Sequence, residues 1–149
     1  MENKYIQEAI KKAREAFASN EVPIGAVIVD YKEGRVIATG HNMTCNLNDA
    51  TAHAEIVAIR KACKKLGNWQ LNNCDIYVSL EPCPMCAQAI SIARIRRLYF
   101  AAYDTKSGGV ENGARVYNAC SAHHKPEIYG GICESEASDL MKDFFRQKR

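Results

Sequence analysis

The stretch Leu80-Glu81-Pro82-Cys83-Pro84-Met85-Cys86 constrains the chain more than any other. Pro84 suits the first position of a helix, where its missing N–H costs nothing. Cys83 then falls at the cap and Cys86 one turn on, so both sulfurs can face one point. Backbone N–H groups at a helix start favour negative charge, which prepares the thiols as thiolates. The preceding run 75–80 (DIYVSL) is β-rich, so the two thiols stand where a strand hands over to a helix.

The second constraint is His53-Ala54-Glu55, at the start of a helix expected over 51–66, with Asp49 or Thr51 as cap and Gly67 as stop. Two thiolates and one imidazole are the ligands of a catalytic zinc, which keeps its fourth position for water. Zinc acidifies that water, and a nearby base must take its proton. Positions i and i+2 do not share a helix face, so Glu55 is expected to reach the water rather than the metal. Blander readings exist. A lone Cys-x-x-Cys also suits a redox pair or a structural zinc, and Cys63, Cys74 or His41 could complete the latter, at no regular spacing. The two motifs together, each opening a helix, favour the catalytic metal.

The seven cysteines, an odd number without a regular framework, fit metal binding better than disulfides in a reducing compartment. No apolar run reaches membrane-span length, and the N-terminus lacks a secretory pattern, so we expect a cytoplasmic protein. A net charge of +3 is too weak to demand a nucleic-acid partner. Clusters are more telling: Arg94, Arg96 and Arg97, then Arg146, Lys148 and Arg149.

With no repeat or linker, residues 1–149 read as a single domain. Tyr5, Ile6, Ala9, Ile10, Ala13, Ala16 and Phe17 recur at helical spacing. Runs 25–30 (GAVIVD) and 35–39 (RVIAT) form a hairpin about Tyr31-Lys32-Glu33-Gly34. A third helix is expected over 84–93, a fourth strand over 97–102, a Gly-rich loop over 104–112, a short fifth strand over 127–129 and a final helix carrying Ala137, Leu140, Met141, Phe144 and Phe145. A further helix is allowed between the last two strands. This order implies an α/β fold with a sheet between helices and a hairpin at one edge.

The His-x-Glu and Pro-Cys-x-x-Cys pair is the signature of zinc nucleobase deaminases. Over nearly its whole length the sequence resembles the bacterial TadA-type tRNA adenosine deaminases of the cytidine deaminase superfamily. The matching stretches are Glu21-Val22-Pro23-Ile24-Gly25-Ala26-Val27, Thr51-Ala52-His53-Ala54-Glu55-Ile56, the 80–86 run, Ala93-Arg94-Ile95, Asp104-Thr105-Lys106-Ser107-Gly108 and Asp143-Phe144-Phe145-Arg146. The Asp-x-Lys-x-Gly loop and the Phe-Phe-Arg tail point to the tRNA branch. The resemblance implies a three-layer α-β-α fold with a central mixed five-stranded sheet. It implies one zinc per subunit on His53, Cys83 and Cys86, no organic cofactor, and Glu55 as proton shuttle. It also implies Asn42 and the Ala54 backbone as contacts to the target nucleoside, and a homodimer acting on the wobble adenosine of an arginine tRNA anticodon stem-loop.

Asp104, Lys106 and Arg146 are the candidate RNA contacts, with a polar turn or solvated helix end as the plain alternatives. The hairpin turn is slightly longer than the family's, and 110–124 matches poorly, with His123 where the family commonly has Asn. Phe144, Phe145 and Trp69 are expected to pack, Glu81 to orient the turn before Cys83, and His123 and His124 not to bind metal. The 59–67 stretch is also similar to guanine deaminases, which keeps a free base or nucleoside as an alternative substrate. A non-catalytic, zinc-stabilised RNA-binding protein is the alternative from another class.

Overall fold

Alternation along the strands builds the sheet. The computed structural model describes residues 2–148, so Arg149 lies outside it. Strand β1 (Gly25–Asp30) pairs antiparallel with β2 (Arg35–His41) and with β3 (Cys74–Leu80). Strand β3 runs parallel to β4 (Arg97–Ala102), and β4 to β5 (Glu127–Gly130), giving the order β2-β1-β3-β4-β5. Ala26, Ile28, Ile76, Val78, Leu98 and Phe100 belong to one core cluster, and Val27, Val29, Tyr77, Tyr99 and Ala101 to the other. Period-two alternation thus sends apolar side chains to both faces, as it must in strands covered on both sides.

Helices α2 (Ala54–Leu66) and α3 (Pro84–Ile92) cover the first face through Ala54, Ala58, Ala62, Ala87 and Ile90. Helices α1 (Glu2–Ala18) and α4 (Glu134–Gln147) cover the second through Tyr5, Ile6, Ala9, Ile10 and Ala137. This is the expected three-layer architecture with a mixed five-stranded sheet. On the second face the parallel register aligns Tyr77 with Tyr99 and Tyr99 with Tyr129. Their rings stack at 4.4 and 5.0 Å between centroids, a cross-strand ladder that begins beside Tyr5 of α1 and ends on the exposed Tyr129.

Helix α1 crosses the start of β1 with no clearance. A Cβ on Gly25 would lie 2.1 Å from the Ala9 carbonyl oxygen and 2.6 Å from the Ala13 nitrogen, both backbone atoms that cannot rotate away. Gly25→Ala is expected to destabilise the protein by about 3 kcal/mol, seen as a lower denaturant midpoint at unchanged slope.

Several local expectations are corrected. Helix α2 begins at Ala54, because Asp49 Oδ1 accepts from the N–H and hydroxyl of Thr51 and so closes a turn of its own. His53, extended at φ −71° and ψ 154°, takes the cap position, and Gly67 ends the helix at φ 65°. Between β4 and β5 the described residues form only a 3-10 turn, Val116–Asn118, in a segment interrupted by Gly108, Gly109 and Gly113. Trp69 is 58% exposed rather than packed, since the left-handed Gly67 turns the chain outward and Leu71 fills the core instead. Phe144 is buried, edge-on to Phe17 at 5.5 Å, whereas its neighbour Phe145 is 45% exposed.

At the N-terminal end of β3, Asp30 Oδ1 accepts from Lys32 N and Glu33 N and shapes the hairpin turn. Arg96 makes a bidentate pair with Asp75 at 2.9 and 2.7 Å and lies 3.6 Å over the Tyr31 ring. Arg97 pairs with Glu127. Arg96 and Arg97 of the central arginine cluster are therefore committed to fastening this end of the sheet.

Candidate active site

Strand β3 ends at Leu80, and three residues later the chain re-enters a helix with Cys83 at the cap and Pro84 at its first position. The Cys83 side chain makes no capping hydrogen bond, so its sulfur is released for other work. The cap of α2 places His53 opposite. His53 Nδ1 lies 3.6 Å from Cys83 Sγ and 3.5 Å from Cys86 Sγ, and the three donor atoms all fall within 4.8 Å of one another. Tetrahedral bonds of about 2.0 to 2.3 Å put neighbouring ligand atoms roughly 3.5 Å apart, so the spacing suits zinc. Cys63, Cys74 and His41 are outside this group; Cys63 donates to the Trp69 carbonyl, and His41 Nδ1 contacts the Asn42 carbonyl. As a metal site the group would supply three protein ligands and leave a fourth position free.

The two thiols divide their labour. A hydrogen bond from Cys86, reinforced by His53, holds Cys83 down to about 4, while Cys86, donating to Cys83 and buried, is pushed up. The same bond to Cys83 raises His53. A soft dication held here would take the place of that shared proton and bind both sulfurs as thiolates. Glu55, 3% exposed, is raised to about 7, mainly by burial and also by the charge of Cys83. Its Oε1 is buried without a hydrogen-bond partner among the described residues. An orphaned carboxylate oxygen beside three converging donors fits a metal whose open position carries water. Behind the site, the buried Tyr117 hydroxyl donates to the Ala87 carbonyl at 2.8 Å, and burial raises its pKa.

The substrate candidates fall into two groups. Asn42 is buried beside the α2 start, where Met43 N donates to the Ala52 carbonyl. Its amide nitrogen donates to Glu21 Oε1 and to Thr44 Oγ1, each at 3.4 Å. Ala54 is fully buried as the first residue of α2. Asp104, Lys106 and Arg146 instead meet in a groove of about 780 Å3 between the loop after β4 and α4. Lys142, Lys148, Tyr103 and Phe145 also line it, but the metal donors, Glu55 and Asn42 do not. Asp104 Oδ1 accepts from Lys106 N and Ser107 N, and Arg146 is paired with Asp143 at 3.2 Å on an exposed helix face. His124 Nε2 is 2.6 Å from the Ile95 carbonyl, away from the metal group.

Sequence reasoning gave Glu21 no role. It is 1% exposed and accepts from Asn42, Thr44, Cys45 N and Asn46 N, which fixes the loop in front of α2. Its available signal was an acidic residue immediately before Val22-Pro23-Ile24, where an apolar side chain would ordinarily lead into a strand. Glu81 was expected to orient the turn before Cys83; its carboxylate instead accepts from the 104–112 segment.

Residues 1–102 match the family model of the cytidine and deoxycytidylate deaminase zinc-binding region. A tRNA-specific adenosine deaminase from Agrobacterium fabrum is 52% identical over 145 residues, 97% of this chain and 94% of that one. A solved structure from work on A-to-I editing by tRNA:A34 deaminases superposes with a TM-score of 0.89 at 52% identity, covering 92% of this chain and 98% of the other. A guanine deaminase structure from Bacillus subtilis aligns at 46% identity over 67% of this chain and 63% of that one, with a TM-score of 0.63. The fold, the His-Cys-Cys group and near full-length identity agree: the chain belongs to the zinc-binding cytidine and deoxycytidylate deaminase family, among the tRNA-specific adenosine deaminases.

Proposed function

We propose that this chain deaminates the wobble adenosine of a tRNA anticodon, of the arginine tRNA class, to inosine. The observation that carries the proposal is the convergence of His53, Cys83 and Cys86 beside the unpartnered, buried Oε1 of Glu55. Near full-length identity with tRNA-specific adenosine deaminases supports RNA as the substrate. One zinc per subunit, held by the three donors, supplies a water acidified enough to attack near neutral pH. Glu55 accepts a proton from the attacking water and delivers it to N1 of the purine, then carries a second proton, from the new C6 hydroxyl, to the departing amino nitrogen. The C6–N6 bond breaks, and one adenosine plus one water become inosine plus ammonia. Asn42 and the Ala54 backbone hold the target nucleoside. A loop base is already partly unstacked, so swinging it into the pocket costs less than in a duplex.

The flanking anticodon stem-loop lies against the groove of Asp104, Lys106 and Arg146, where three lysines and an arginine meet two exposed aromatic rings. Exposed Leu66, Trp69, Met85 and Ile92, on and beside α2 and α3, support a homodimer. No described helix is long and apolar enough to cross a membrane. We place the enzyme, as one catalytic domain over 1–149, in the cytoplasm with its substrate.

The likeness to a guanine deaminase favours a second reading, hydrolysis of a free base. Transcribed arginine tRNA, read by sequencing for A-to-G conversion at the wobble position, separates the two. Conversion with no ammonia released from guanine, adenine or cytosine is expected. Ammonia from a free base, with tRNA left intact, would transfer the function to the second reading.

A further inference from the structure

We propose that Glu81 is a positioning residue for RNA: it holds the 104–112 segment in the shape that presents Asp104 and Lys106 to the substrate. The proposal rests on the tRNA reading above. Glu81 is 2% exposed, so its carboxylate must be met by donors to be tolerated at all. Oε1 accepts from Asp104 N at 3.0 Å and Asn112 Nδ2 at 2.7 Å. Oε2 accepts from the backbone N–H groups of Val110, Glu111 and Asn112 at 3.2, 2.9 and 3.0 Å. One carboxylate therefore ties down both ends of the segment.

The same segment rests directly on the metal turn. Gly109 N donates to the Pro82 carbonyl at 2.8 Å, and a Cβ on Gly109 would come 2.5 Å from Pro84 N. From this base the chain rises to a tip closed by the Asp104 carboxylate, with Lys106 exposed on the groove. Glu81 stands one proline before Cys83, so the RNA-facing segment and the thiol donors are mounted on a common piece of backbone. Holding the segment before RNA arrives removes an ordering cost from binding, which is an effect on affinity and not on the chemical step.

A carboxylate only accepts, whereas the amide of Glu81→Gln turns an NH2 group toward N–H donors. In the zinc-loaded enzyme, Glu81→Gln is expected to raise KM for an anticodon stem-loop RNA about tenfold or more, with kcat within about threefold and zinc unchanged. Lys106→Ala should raise KM in the parent enzyme but add little in the Glu81→Gln background, because the lysine is already misplaced there. An unchanged KM, a fall in kcat and zinc content with KM unmoved, or additive effects of Lys106→Ala would each overturn the proposal. Should Glu81→Gln fail to fold, Asn112→Ala removes one bond at the far side of the segment and must still raise KM at constant kcat; an unmoved KM overturns it. A parent enzyme inert on RNA would sink the function reading instead. The hold of Glu81 on the 104–112 segment is read separately by amide exchange, which must quicken at Val110, Glu111 and Asn112 in the variant; unchanged exchange overturns the proposal whatever the substrate.

Discussion

Replacing Glu55 by glutamine is expected to slow turnover about a thousandfold while zinc content and thermal stability stay close to the parent's. The amide is the same size as the carboxyl and Glu55 is 3% exposed, so packing is kept and only the capacity to carry a proton is lost. Burial sets the Glu55 pKa at about 7, which leaves the group able both to take and to give a proton at working pH. Its Oε1 has no competing partner among the described residues that would need to be broken first. Single-turnover conversion of tRNA, alongside metal analysis of the same preparation, makes the comparison. Full activity in the variant would remove the shuttle from the mechanism; loss of zinc would instead make Glu55 part of the metal site.

Cys83→Ala is expected to abolish editing and metal retention together. Of the three donors, Cys83 is the thiol held most strongly as thiolate, down to about 4, and its removal leaves His53 and Cys86 as a two-point grip. Bound metal stabilises a fold by mass action, by about 4 kcal/mol at a free concentration of about 1,000 times its dissociation constant. The variant should therefore melt at the temperature of the chelator-treated parent and gain nothing from added zinc. A variant that still binds one zinc and melts like the holoenzyme would show that the ion sits elsewhere.

Much of this is legible in the sequence alone. The helical stripe from Tyr5 to Ala16 and the alternation in β1, β3 and β4 specify which faces are buried, and the layers follow. Pro84 and the Cys-x-x-Cys spacing placed both sulfurs correctly, because helix geometry at a proline start leaves little choice. The start of α2 was misjudged because Asp49 and Thr51 satisfy each other, a local contest that a list of capping residues does not resolve. Glu21 eluded reading, and Glu81 was read only as orienting the turn before Cys83, for a different reason. Their partners lie more than twenty residues away, and a buried carboxylate is written in sequence like any exposed one.

The far end of the sheet has a use of its own. Residues 31–34 turn at the N-terminal end of β3, whereas the thiols follow its C-terminal end, about 20 Å along the strand. Asp75, Arg96 and Tyr31 clamp that end without reference to the metal. The hairpin tip is thus a natural splice point, where an affinity tag or a tethered partner protein can be grafted and the editing end carried along undisturbed.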